Sequence, residues 1–300
     1  MMDREQSPLM RIPAEIRIMI YEYLLDLDHA GDKRLAVRNK AMHQLPAGAL
    51  STYRRTSYRI IERSFHRQCF ETTYAHHRPA AHAHNNTNTN TNNTSTSTST
   101  SSSTPMHPEI MAVNRRIHRE TSHLLYRRPH GFDFGSDIEA VVPFLKDLTP
   151  ASRAAIQELT IRKDGPVMHG TSESDRLDWA AMCAYLARLD TTIPRLRIVV
   201  EGGRPTAAAW AGLKALSVSD LRLLALIKHD SMDWVAALAA VRGLARLEIV
   251  PRVRYLPAPG TTATLLFAAF SASIDTALVE YLQTECGLPA VAASLTAGEA

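Results

Sequence analysis

Two hydrophobic periods alternate along the chain, and the change from one to the other divides it. Between residues 13 and 27, Ile16, Met19, Ile20, Tyr23, Leu24 and Leu27 fall at i, i+3, i+4, i+7, i+8 and i+11. That spacing predicts an amphipathic helix. Pro13 suits its first turn, where the missing N–H costs nothing. Ile18 and Leu25 lie off the stripe, seven residues apart. A helix with two apolar faces fits between a core and a partner. The stripe is therefore expected to join the core, and Ile18 and Leu25 to face the partner. The alternative is a core that wraps round more of the helix. Residues 53–70 predict a second helix with Tyr58, Ile61, Phe65 and Cys69 on one face. Arg55, Arg59, Arg63 and Arg67 recur every fourth residue and would form a basic stripe, suited to an acidic partner or RNA or simply solvated. Residues 108–126 predict a third helix, with Ile110, Val113, Ile117 and Leu124 on its apolar side and Pro129 and Gly131 ending it. Gly131 to Phe134 reads as a short extended piece.

From residue 136 the pattern becomes a loose repeat of helix followed by strand. Ile138 to Leu148 leads into Ile156 to Ile161, and Trp179 to Leu189 into Leu196 to Val200. Ala207 to Leu216 leads into Leu221 to Ile227, a segment that reads equally as helix, and Trp234 to Val241 into Leu244 to Val250. Helices alternating with short apolar strands imply an α/β fold with mainly parallel strands, with α+β as the alternative. The spacing is irregular and no asparagine ladder is present, so the stack reads as a degenerate leucine-rich-repeat-like one. A last helix is expected over about 263–285, closed by Gly287 and Pro289.

Residues 85–104 are Asn, Thr and Ser alone, and a stretch rich in His, Ala, Arg and Pro precedes them. Such a tract cannot bury enough apolar surface to offset its ordering entropy. The expected organisation is therefore 8–75 for the first helix and the basic segment, 76–105 for a disordered linker, and 106–135 for the third helix and the short extended piece after it. The α/β region follows at 136–288, then a loose tail at 289–300.

Composition narrows the chemistry. Of 300 residues 45% are hydrophobic, enough for a sizeable core, and the net charge of +4 is too small to imply nucleic acid by itself. Cys69, Cys183 and Cys286 lie far apart and form no CxxC pair, which fits a reducing compartment. The N-terminus lacks the apolar run of a signal peptide. The longest apolar stretch, Thr264 to Ile274, falls short of the roughly 20 residues a membrane span needs. A protein of the cytoplasm or nucleus is expected, with no membrane partner. No glycine-rich phosphate loop, GxSxG, kinase signature or HExxH occurs, so no catalytic residue, cofactor or metal is expected. Glu120 and His123 have carboxylate–histidine spacing but no second pair, and read as a solvated helix face. The histidines around His66, His76, His77, His82 and His84 lack the fixed geometry of a selective metal site.

Two segments carry a family resemblance. Leu9-Met10-Arg11-Ile12-Pro13-Ala14-Glu15-Ile16-Arg17-Ile18-Met19-Ile20-Tyr21 resembles the opening of fungal F-box-like proteins. Ile110-Met111-Ala112-Val113-Asn114-Arg115-Arg116-Ile117-His118-Arg119-Glu120, with Leu124-Leu125-Tyr126 and Phe132-Asp133-Phe134 after it, resembles the segment that follows in that set. The resemblance implies a small F-box-like helical module ahead of the α/β stack. It implies docking on a Skp-type adaptor of a cullin–RING ubiquitin ligase, with an unknown protein substrate recruited by the C-terminal region. Ile12, Pro13, Ile16, Ile20 and Leu24 would belong to the module, and Ile18 and Leu25 would meet the partner. Two other readings stay open: a binder of nucleic acid or an acidic partner through Arg55, Arg59, Arg63 and Arg67, and a scaffold that keeps a relic F-box.

Overall fold

Apolar residues at every second position give three long strands one greasy face, and that face organises the protein. The computed structural model describes residues 8–25, 35–36, 55–61, 64–69, 75–76, 107–127, 131–163, 173–190, 193–202, 210–241, 244–252, 260–284 and 291–293. The strands are β1 (Leu35–Ala36), β2 (Arg55–Ile61), β3 (Ser64–Cys69), β4 (Ala75–His76), β5 (Phe132–Asp133), β6 (Glu158–Lys163), β7 (Arg195–Glu201), β8 (Arg246–Arg252) and β9 (Val291–Ala293). The helices are α1 (Pro8–Arg11), α2 (Ala14–Leu24), α3 (Arg115–Tyr126), α4 (Val141–Asp147), α5 (Pro150–Ala155), α6 (Glu173–Ala187), α7 (Val218–Leu226), α8 (Asp233–Ala239), α9 (Thr262–Ser271) and α10 (Ala277–Thr284).

The fold is α/β. Seven strands form one sheet in the order β4-β1-β5-β6-β7-β8-β9. From β5 to β9 the neighbours are parallel and stand in chain order. Parallel neighbours need a crossover, and helices supply each one. In register, Leu159, Leu196, Leu247 and Val291 form one row, and Ile161, Ile198, Ile249 and Ala293 the next. Side chains alternate faces along a strand, so these rows share a face. Their β6, β7 and β8 members are fully buried, in one core with Trp179, Leu186, Val235, Leu238, Leu278 and Leu282 from the crossover helices. Trp179 and Trp234 meet edge to face at 6.0 Å, and the Trp179 indole N–H donates to the Trp234 carbonyl at 2.9 Å, which ties α6 to α8. The opposite face is polar, with Glu158, Arg195 and Arg246 in one row and Thr160, Arg197 and Glu248 in the next.

Gly131 opens β5 with φ of +61°, where a side chain would be strained. A Cβ there would also overlap the Glu158 backbone carbonyl, so only glycine lets β5 lie this close to β6.

Several sequence expectations need correction. Residues 55–61 and 64–69 pair as a two-stranded antiparallel ladder, not a helix, with Tyr58 opposite Arg67 and Arg59 opposite His66. The four-residue arginine spacing therefore defines no helical stripe. Tyr58, Ile60, Ile61 and Phe65 have the β-branched and aromatic character that favours a strand. Leu221 to Ile227, read as a strand, lies in and just beyond helix α7, because Ser217 and Asp220 form a reciprocal capping box. The single C-terminal helix is two. The buried Ser273 hydroxyl donates to the Phe270 carbonyl at 2.6 Å, and the Ser273 backbone carbonyl accepts from Leu278 N–H at 2.9 Å, turning the chain between α9 and α10. The expected loose tail contributes β9 to the sheet edge. Position 135/136 is no packing boundary, since Leu25, Leu125 and Tyr126 share the core of the strand stack. The expected linker lies outside the described residues apart from His76 in β4.

Candidate interaction surface

Helix α2 turns Arg17 and Tyr21 inward and much of its apolar stripe outward. Arg17, Tyr21 and Leu25 succeed one another at i, i+4 and i+8, and all three are buried against α3 and the core. Leu25 and Tyr21 are fully inaccessible, and Arg17 is 2% exposed. Helix α3 is fixed by Asn114, whose side-chain oxygen accepts from the N–H groups of Arg116 and Ile117, both at 2.9 Å. This start directs Glu120 at α2.

Arg17 Nη2 donates to Glu120 Oε1 at 2.8 Å, and Arg17 Nε donates to Oε2 at 3.2 Å, a bidentate pair. Arg17 Nη1 donates to the Ile12 carbonyl at 2.6 Å. The Tyr21 hydroxyl donates to Glu120 Oε2 at 3.1 Å, and Arg116 Nε to Oε1 at 3.1 Å. The Arg17 hydrogen bonds, helped by those of Arg116 and Tyr21 and against the pull of burial, hold the Glu120 carboxyl at about 2. Burial and the Glu120 bond raise Tyr21 above its usual range. A carboxylate that accepts from two guanidiniums and a phenol is a clamp whose oxygens are fully engaged, not an acid or base awaiting a substrate. Glu120 is thus no solvated face. His123, exposed, lies 3.3 Å from Arg127 Nη1.

Because the clamp faces inward, the aliphatic stripe cannot. Ile16, Ile18, Met19 and Tyr23 are 46, 38, 60 and 73% exposed. The expectation that Ile16, Met19 and Tyr23 join the core is reversed, and Leu25 is a core residue rather than a partner contact. Ile18 lies outward. Ile12 and Ile20 are half-buried at the margin, and Pro13 is exposed at the start of α2. Arg55, Arg59 and Arg67 lie in the β2–β3 ladder, and Arg63 is outside the described residues. Sequence reasoning missed Arg17, Tyr21 and Glu120. The signal was present: Arg17 and Tyr21 are a helical pair inside the first motif, and Glu120 stands in the second.

Among the described residues no group of three or more His, Cys, Asp and Glu side chains could hold a metal ion. Burial pushes the Cys183 thiol up to about 12, which leaves it protonated and a poor nucleophile. No helix among the described residues is long and apolar enough to cross a membrane.

Fold and surface together define an α/β protein with a mainly parallel sheet and an N-terminal helix that presents an apolar face. The chain belongs to the family described as a domain of unknown function, DUF7730, whose model matches residues 2–216. That span contains α2, α3 and the clamp that joins them. No curated protein matches the chain, and no solved structure does.

Proposed function

We propose that the protein is a non-catalytic, F-box-like interaction protein whose α2 face docks on a Skp-type adaptor of a cullin–RING ubiquitin ligase. The observation that carries this reading is the outward apolar face of Ile16, Ile18, Met19 and Tyr23. Clustered exposed apolar side chains on a helix, at spacings near one turn, suit helix-in-groove docking. The clamp holds that face in place before any partner arrives, which lowers the ordering cost of binding. In this reading α2 and α3 form the F-box-like module, and the strands from β5 onward form a leucine-rich-repeat-like stack that takes a second protein. The resemblance of the two motif segments supports the choice of adaptor.

Calorimetric titration of the full chain with a purified fungal Skp-type adaptor tests the proposal. Saturable binding is expected, weakened tenfold or more, roughly the loss of a hot spot, by Met19→Asp with Tyr23→Asp. Absence of wild-type binding, or equal binding by a folded double variant, overturns it and leaves a scaffold with a relic motif.

A further inference from the structure

Where the long strands begin, three guanidiniums crowd one opening. Arg127 follows α3, Arg195 starts β7 and Arg246 starts β8, and with Gln157, Glu158 and Pro194 they line a cleft of about 400 Å³. Arg195 and Arg246 are directly opposite in register. Like charges facing each other across a ladder are destabilising. Glu158, the one carboxylate in the lining, is buried and already accepts from Arg195 Nη1 at 3.0 Å and from the Thr160 hydroxyl at 3.3 Å. Arg246 is exposed, and among the described residues its side chain has neither hydrogen bond nor ion pair. One row further along the polar face, the buried Nε of Arg197 has no hydrogen-bond partner and stands 3.7 Å from Glu248. The lining thus carries three guanidiniums against one carboxylate among the described residues.

We infer that this cleft binds an acidic peptide segment, whose carboxylates pair with Arg246 and Arg127. Guanidiniums are suited to bidentate carboxylate recognition. Discrete carboxylates fit a face on which Glu158 and Glu248 interrupt the arginines. A nucleic-acid strand fits it poorly: its phosphates recur without a gap, and the lining offers no aromatic ring for base stacking. The inference goes beyond the adaptor-docking reading and does not depend on it.

The test is fluorescence anisotropy of a labelled oligoglutamate peptide with the full chain and no adaptor present. Oligoglutamine and a short single-stranded RNA serve as competitors. Saturable oligoglutamate binding that weakens with salt is expected, with little competition from either. Arg127→Ala with Arg246→Ala should weaken it about tenfold or more, the loss of one or two charge-assisted hydrogen bonds. Both side chains are exposed, so the melting temperature of that variant should match wild type. No saturable binding, equal binding by the double variant, or stronger binding of the RNA overturns the inference.

Discussion

The strand stack and the α2–α3 pair solve the same burial problem in opposite ways. In β6, β7 and β8 the apolar residues turn inward and meet in rows, and the polar ones line the other face. In α2 the aliphatic stripe stays outside, and an arginine and a tyrosine go in. The difference lies in what each interior position can bond to. A strand's inward side chains need only fill space, so hydrophobicity decides their face. Arg17 could not be buried without a matched carboxylate, and Glu120 provides one at two oxygens. Once that bond fixes the rotation of α2, the greasy positions one residue away are carried to the surface. A periodic hydrophobic pattern reveals a helix, but a single buried ion pair can choose which side faces in.

Substitutions can break each half of this contrast. The largest effect belongs to the stack: Ile198→Ala, at a fully buried position in the central strand, should cost about 2–5 kcal/mol in urea unfolding by leaving a cavity. A cost under about 0.5 kcal/mol, the range of surface positions, would contradict the packing described. Next comes the clamp. Glu120→Ala strands Arg17 in the interior and should lower the melting temperature on the order of 5 °C. The clamp should also be sensitive to acid. Glu120 is held at about 2 when folded against an ordinary 4.5, so its contribution is present above about pH 4.5 and is lost as pH falls toward 2. The stability gap between wild type and Glu120→Gln should accordingly narrow on acidification, and a constant gap would refute the depressed carboxyl. The smallest effect is on the outward face, where Tyr23→Ala should change stability by no more than about 0.5 kcal/mol.

Much of the architecture was legible, and its limits have physical causes. The helix–strand units around β6, β7 and β8 could be read because their strands alternate cleanly and their helices are separate. The α7 segment reads equally as strand or helix from its apolar residues alone, because Leu221, Leu223, Leu224 and Ile227 are so dense. Ser217 and Asp220, three apart just before them, were the deciding helix-start signal. The β2–β3 ladder was hidden by arginines whose spacing mimics a helix turn. On α2 the reading found the helix but chose the wrong face, since no count of apolar residues reports that Arg17 has a partner 103 residues away. The cleft at Arg195 and Arg246 arises from strand register, which sequence spacing does not reveal.

The most direct measurement is thermal melting of two single variants, Met19→Asp and Leu25→Asp. Hydrophobic patterning alone assigns Met19 to the core and Leu25 to the outside, and the structure has them the other way round. An unpaired charge is costly only where it is buried. Leu25→Asp should therefore lower the melting temperature by more than about 5 °C or prevent folding, while Met19→Asp should stay within about 1–2 °C of wild type. The reverse order, with Met19→Asp the damaging change, would mean that α2 is rotated and that its apolar stripe is core rather than a surface for a partner.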